Sequence, residues 1–237
     1  MIRLQKKAKR IGILFVVLVL IVAICSSVWV FRQAKASKTY DEKVAAFSEE
    51  NPKLEKGQIV FVGDSITAGY PLQLYYHNLN LKTYNRGISG DTTSWLLTRL
   101  QTSLIDIAPS KIVLMIGTND INLGKSAEEI AQNYQSILDL IASALPDSDV
   151  WCVSVIPQND QYSDQAQENN KRIQETNQKI ENLAAIYGYQ YVNLYDELTD
   201  KDGLLKRRYS TDGLHLNLWG YCVWTDVMKA HLHEEGK

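Results

Sequence analysis

Cysteine is scarce in this sequence: Cys25, Cys152 and Cys222 are the only three among 237 residues. Neither Cys152 nor Cys222 stands at a metal-ligand spacing, so they offer no cysteine-based metal site. If the protein is exported from the cytoplasm, a disulfide bond between Cys152 and Cys222 can form, although two separate buried thiols are the commoner arrangement.

A net positive charge is also lacking beyond the first ten residues. The formal net charge of the chain is −2. Residues 1–10 carry five positive charges and no negative one, so residues 11–237 carry a net charge of −7. The five basic residues are Arg3, Lys6, Lys7, Lys9 and Arg10. The remainder shows no basic stripe of the kind that binds nucleic acid. We therefore expect no nucleic-acid partner for a chain whose length and 45% hydrophobic content suit one sizeable α/β domain.

One long uncharged run interrupts this ordinary composition, at residues 11–31. As a helix it would span roughly 31 Å, which matches the hydrocarbon core of a bilayer. Because the preceding residues 1–10 are basic, we expect them to be cytoplasmic and the rest to lie outside the cell, on a single-pass anchor in the cell membrane. A cleaved secretory signal, which would make the protein secreted, is the alternative; its apolar region is normally about 7–15 residues long.

Beyond the run, residues 32–57 form a polar connector in which Tyr40, Val44 and Phe47 recur at helical spacing. Residues 58–237 then alternate short apolar runs with longer amphipathic patterns, as in a three-layer α/β sandwich around a parallel sheet. The predicted strands are Ile59–Val62, a short run near Tyr84, Ile112–Ile116, Val150–Ile156 and Tyr189–Leu194.

Polar clusters follow the first three of these strands and precede the last helix. They read "GDSIT" at Ser65, "NRGISGDTT" at Gly90, "IGTND" at Asn119, and "DGLH", which contains Asp212 and His215. In an open parallel sheet, ligands bind beyond the carboxyl ends of the strands. We therefore expect the first three clusters to share one edge, with the fourth reaching it from a loop.

The residue types in these clusters suit nucleophilic catalysis. A serine hydroxyl needs an adjacent base, and histidine is the side chain best suited near neutral pH. Asp212 could orient the imidazole of His215. The N–H groups of Ser65 and Gly90 and the amide of Asn119 form a plausible oxyanion hole.

With these four blocks in this order, the sequence resembles the SGNH (GDSL-type) hydrolase family, in the branch of platelet-activating-factor acetylhydrolases and lysophospholipase-like esterases. The resemblance implies a flavodoxin-like, five-stranded sheet in the order 2-1-3-4-5. It also implies Ser65 as nucleophile, His215 as base and Asp212 as its orienter, with Ser65, Gly90 and Asn119 as the oxyanion hole. No metal or cofactor is implied.

The expected function is that of an extracytoplasmic serine esterase. We expect it to remove short acyl groups, above all acetyl, from a carbohydrate or lysophospholipid ester through an acyl-enzyme. One alternative is an acyltransferase that uses the same triad to O-acylate a cell-surface glycan. Others are a thioesterase, a lysophospholipase or peptidase activity, and a catalytically silent binding module.

Overall fold

The computed structural model describes residues 38–232. The predicted membrane anchor at 11–31 and the basic segment at 1–10 therefore lie outside the described residues and stay predictions. Within the described range, no helix combines the length and the apolar character needed to cross a bilayer. The described chain belongs to two units that divide between Ala46 and Phe47.

The second unit is built on a five-stranded sheet in which all neighbouring strands are parallel. Its strand order, β2-β1-β3-β4-β5, confirms the order that the family resemblance implies. The strands are β1 (Ile59–Gly63), β2 (Thr83–Gly87), β3 (Lys111–Met115), β4 (Asp149–Val153) and β5 (Gln190–Val192).

Helices connect the strands and cover both faces of the sheet. The described part of α1 covers residues 38–50. The others are α2 (Ser65–Ala68), α3 (Leu72–Tyr75), α4 (Thr93–Ser103), α5 (Thr118–Asn122), α6 (Ala127–Ala144), α7 (Ala166–Tyr187), α8 (Leu194–Leu198) and α9 (Leu218–Leu232). Short 3₁₀ turns occupy Asn51–Lys53, Ile105–Ile107 and Arg207–Tyr209.

Local signals in the sequence explain where the long helices begin and end. A reciprocal capping box between Ser126 and Glu129 opens α6. Gly188 closes α7 with a left-handed φ of 71°, a conformation that glycine adopts without steric cost. Strand β4 ends at Val153, earlier than the predicted Ile156. The reason is that the Asn177 side chain binds both backbone groups of Val155. It accepts a hydrogen bond from the Val155 N–H at 2.8 Å and donates one to the Val155 carbonyl at 2.9 Å.

The core lies on both faces of the sheet, because alternate strand residues point in opposite directions. One face packs against α4, α6 and α7, and the other packs against α9 and the short helices α2, α3 and α8. Side chains of the first face include Val60, Ile112, Leu114 and Cys152. Those of the second include Phe61, Val113, Trp151 and Trp224. Both described cysteines are free thiols, Cys152 buried and Cys222 half-buried.

The end of the predicted connector packs against this domain. Asn51 Nδ2 donates to the Thr102 carbonyl at 2.7 Å. The buried Arg86 guanidinium bonds Glu50 at 2.9 Å and lies 4.3 Å from the Phe47 ring centroid. These contacts fix residues 47–51 against the domain, beside β2 and the end of α4.

The register of the strands decides where the polar clusters meet. Gly63 pairs with Gly87 on one side and with Met115 on the other, so β1, β2 and β3 end at the same level. Helix α2 lies very close to the end of β2, because a Cβ at Gly87 would be 2.2 Å from the backbone nitrogen of Ala68. Glycine at these strand ends therefore lets α2 begin directly above the sheet edge.

Candidate active site

Ser65 is the first residue of α2, immediately after the end of β1. Asp64 caps this helix, because its carboxylate accepts a hydrogen bond from Ile66 N at 2.9 Å. The cap holds the turn between strand and helix, and Ser65 stays partly exposed at the sheet edge. Its Oγ lies 3.0 Å from His215 Nε2, which is hydrogen-bonding distance.

His215 is held from its other side by Asp212. Its Nδ1 lies 2.7 Å from Asp212 Oδ2, and its backbone N–H donates to Asp212 Oδ1 at 2.8 Å. The Leu214 N–H donates to the same oxygen at 3.0 Å. The structure thus brings Ser65, His215 and Asp212, 150 residues apart at the extremes, into one hydrogen-bonded series.

The hydrogen bonds to Asp212 also set its charge. Partial burial acts to raise the pKa of Asp212, but the bonds from the His215 ring and from two backbone N–H groups outweigh it. The net result is a pKa of about 2. Asp212 is therefore an anion at neutral pH, and its oxygen favours the tautomer of His215 that carries hydrogen on Nδ1.

Gly90 occupies the turn between β2 and α4. Asp91 N donates to Ile88 O at 3.2 Å to close the turn, and Gly90 adopts a left-handed φ of 82°. Apart from Gly90 itself and its two chain neighbours, no heavy atom lies within 4 Å of the position that a Cβ would take. The turn therefore needs glycine for its backbone conformation, and that side of the residue faces open space.

Asn119 lies in α5, two residues beyond Gly117, which precedes that helix. Its Nδ2 donates to the Asp91 carbonyl at 2.8 Å. This bond ties Asn119 to the residue that follows Gly90, so the two predicted oxyanion donors belong to neighbouring segments. The amide nitrogen carries two hydrogens, and one remains for a further acceptor.

Asp120, the residue after Asn119, fixes the loops beside the site. This buried carboxylate accepts from Thr93 N at 2.8 Å and from Thr93 Oγ1 at 2.7 Å. Lys125 Nζ lies 2.7 Å from it. Asp120 therefore joins the start of α4 to α5 rather than facing Ser65.

A buried arginine that the sequence did not mark as a site residue connects three of the segments around the site. Arg99, on α4, has a side chain that is 1% exposed and pairs with the fully buried Asp91 at 2.6 Å. It also donates to the Gly63 carbonyl at 3.0 Å and to the Arg86 carbonyl at 2.9 Å. Arg99 thus ties together the chain before Ser65, the end of β2 and the segment that receives Asn119. Its signal in the sequence is a charge on the apolar face of α4, between Leu96 and Leu100.

Asp64, beside the nucleophile, is unusual in its protonation. Complete burial is the main reason that its pKa rises from an ordinary 3.8 to about 7, and the nearby carboxylate of Asp91 adds to the rise. The N–H of Ile66 and the neighbouring Thr118 side chain offset part of that shift. A group with this pKa gains its negative charge only as the solution becomes neutral.

We expect the Asp64→Asn variant to expose this titration in the free energy of unfolding. Between about pH 4 and about pH 7 the folded wild type holds a proton on Asp64 that the unfolded chain releases. Wild-type stability relative to the variant therefore falls as the pH rises through that window, by up to ~1.4 kcal/mol per pH unit. Chemical denaturation of both proteins from acidic to neutral pH measures the difference, and a difference independent of pH would contradict the assignment.

The sequence is similar to those of known proteins. Residues 61–223 match the family described as GDSL-like Lipase/Acylhydrolase. The alpha2 subunit of human platelet-activating factor acetylhydrolase IB is 30% identical over 172 residues, which cover 71% of this chain and 73% of that protein. The bovine alpha1 subunit is 28% identical over 184 residues, 75% of each chain.

Solved structures give the same picture. A structure from Streptococcus pneumonia described as a platelet activating factor is 33% identical, with a TM-score of 0.78 over 85% of this chain and 96% of that one. The acetylxylan esterase Axe2 of Geobacillus stearothermophilus shares the fold, with a TM-score of 0.62 at 17% identity over 77% of this chain and 97% of that one. The chain therefore belongs to the GDSL-like lipase/acylhydrolase family and is a carboxylic ester hydrolase of that family.

Proposed function

We propose that this protein is a serine esterase that hydrolyses short-chain, above all acetyl, esters outside the cytoplasm. The observation that supports the catalytic assignment is the series from Ser65 Oγ to His215 Nε2, 3.0 Å, and from His215 Nδ1 to Asp212 Oδ2, 2.7 Å. These are the contacts that convert a serine hydroxyl, a weak nucleophile by itself, into an effective one.

In the proposed mechanism, Ser65 Oγ bonds to the ester carbonyl carbon while its proton passes to His215 Nε2. Asp212 accepts the Nδ1–H of His215 and stabilises the imidazolium that forms. Collapse of the tetrahedral intermediate breaks the bond to the alcohol oxygen, which takes the proton from His215 and leaves. Water then attacks the acyl-Ser65 ester with His215 as base, releases the carboxylic acid and restores the serine.

The negative oxygen of each tetrahedral intermediate needs preorganised donors. We assign this role to the N–H groups of Ser65 and Gly90 and to the second Nδ2 hydrogen of Asn119. The open space beside Gly90 leaves room for the substrate carbonyl. The bond from Asn119 to the Asp91 carbonyl holds its amide in place, so little reorganisation is needed when the charge develops.

The proposed location rests on the sequence. The apolar run at 11–31 follows five basic residues, a pattern typical of a membrane anchor with its N-terminus in the cytoplasm. We propose that this segment attaches the hydrolase to the outer side of the cell membrane.

The preference for acetyl esters has two supports. The sequence after Gly69 contains no long apolar stretch that would form an acyl tunnel or lid. Relatives and fold neighbours include proteins named as acetylhydrolases and as acetylxylan esterases. Both names refer to the acetyl group. This group is small, which suits a partly exposed serine at an open sheet edge.

A series of p-nitrophenyl esters from two to twelve acyl carbons tests this function on purified protein. We expect kcat/KM to be greatest for the acetyl and butyryl esters and to fall with longer chains. Equal turnover of all chain lengths would contradict the acetyl preference, and no turnover of any ester would contradict the function.

A further inference from the structure

A polar cavity lies beside the catalytic residues and has no part in the mechanism above. Its volume is about 350 Å³, and its wall includes Asn122, Tyr162, Gln165, Asn169 and Arg172. The helix that carries Asn122 follows β3, and the segment that carries the other four follows β4. The cavity is therefore at the carboxyl edge of the sheet, beyond β3 and β4.

Two contacts place this cavity against the active site. Asn122 and Asn119 share the short helix α5, one turn apart. On the other side, Asn159 N donates to the Gly213 carbonyl at 2.8 Å, and a Cβ at Gly213 would lie 2.7 Å from Tyr162 N. The cavity thus adjoins both the Asn119 helix and the loop that presents Asp212 and His215.

The wall of the cavity is a fixed set of hydrogen-bonding groups. The fully buried Gln158 donates to Asn122 Oδ1 at 2.7 Å and accepts from Asn169 Nδ2 at 2.9 Å. Asn122 Nδ2 in turn donates to the Tyr162 hydroxyl at 3.2 Å. The Asn122 and Asn169 amides are therefore oriented before any ligand arrives, which reduces the entropy lost on binding.

Arg172 adds a cation to the wall. Its guanidinium donates to the Lys125 carbonyl, which holds the side chain in place. A guanidinium carries five N–H donors, so it can serve this contact and still bind a ligand oxygen. An aromatic ring, several amides and a guanidinium suit a ligand with many hydroxyl groups, and they do not suit an acyl tail.

We infer that this cavity binds the alcohol portion of the substrate, and that this portion is a polyhydroxylated, sugar-type group. The inference rests on the proposed esterase function and names the substrate class of that same site. The acyl group would lie at Ser65, and the sugar would extend across α5 toward Tyr162 and Arg172. A lysophospholipid would instead use Arg172 for its phosphate.

The test compares hydrolysis of a mono-O-acetylated methyl glucoside, whose other hydroxyl groups are free, with hydrolysis of p-nitrophenyl acetate. We expect the ratio of the two kcat/KM values to fall about fivefold to tenfold in each of the variants Tyr162→Ala, Gln165→Ala and Arg172→Met, since each removes about one ligand contact. Gln132→Ala, at an exposed position of α6 beside α7, is the matched control and should keep the wild-type ratio. Thermal melting of each variant shows whether its fold is retained.

The outcomes separate the two claims. If the wild type hydrolyses p-nitrophenyl acetate but the ratio is unchanged in all three variants, the cavity inference is overturned and the esterase function stands. If wild-type protein hydrolyses neither ester, the proposed function itself fails. If Arg172→Met impairs only an acetylated glycerophosphocholine, the cavity takes a phosphate headgroup, and the sugar assignment is wrong.

Discussion

Replacement of Ser65 by alanine is expected to lower kcat for p-nitrophenyl acetate by on the order of 10⁴-fold or more. The reason is that the substitution would leave His215 with no hydroxyl to deprotonate, so the acyl-enzyme route is lost. The oxyanion donors would remain, and the small residual rate should reflect direct attack by water. Steady-state kinetics with extensively purified variant protein measure the loss.

The matched control for this variant is Ser136→Ala. Ser136 is a partly exposed serine on α6 whose hydroxyl donates to the Gln132 carbonyl at 3.1 Å. We expect the kcat of this variant to equal that of the wild type. Comparable activity of Ser65→Ala and wild type would contradict the assignment of Ser65, whatever the control shows.

The largest expected effect on stability comes from Arg99→Met. The methionine keeps much of the side-chain volume but removes the cationic partner of the buried Asp91, together with the donors to Gly63 and Arg86. Breaking one side of a buried ion pair costs about 3–5 kcal/mol. For a domain of this size we expect Tm to fall by roughly 10 °C. Activity should fall as well, because the same guanidinium supports the chain before Ser65 and the segment bonded to Asn119.

Arg207→Met provides the comparison for that result. The Arg207–Asp160 pair has the same chemistry and a similar separation, 2.7 Å, but its two side chains are 61% and 56% exposed. An exposed pair contributes at most about 1 kcal/mol, so Tm should change little. Equal changes in Tm for the two variants, measured by differential scanning calorimetry, would show that burial of the Asp91–Arg99 pair has no special effect.

Much of the fold could be predicted because it depends on local patterns. Apolar runs bounded by polar clusters predicted the position of every strand, and the capping box at Ser126 marked the start of α6. The order of the strands came from the family resemblance rather than from periodicity. The end of β4 was predicted too late, at Ile156 instead of Val153, since the Asn177 side chain that replaces the ladder at Val155 lies on a distant helix.

The residues of the candidate site also fall into two groups, those that the sequence predicts and those that it does not. Ser65, Gly90, Asn119, Asp212 and His215 could be named because each lies in a short motif at a predicted strand end or loop. The groups behind them could not. Arg99 and the amide network at Gln158 act through tertiary contacts, so no local spacing marks their partners. The cavity beside Tyr162 depends on how the segment after β4 packs against the Gly213 loop, which the sequence alone does not determine.

The most direct test of the central claim is to locate the acyl group during turnover. Wild-type protein is mixed with an activated acetyl ester, quenched in acid within milliseconds, digested and analysed by mass spectrometry. We predict an acetyl adduct on the peptide that contains Ser65, absent from Ser65→Ala and lost in the wild type as the substrate is consumed. Continued ester hydrolysis with no adduct on Ser65, or with the adduct on another residue, would contradict the account.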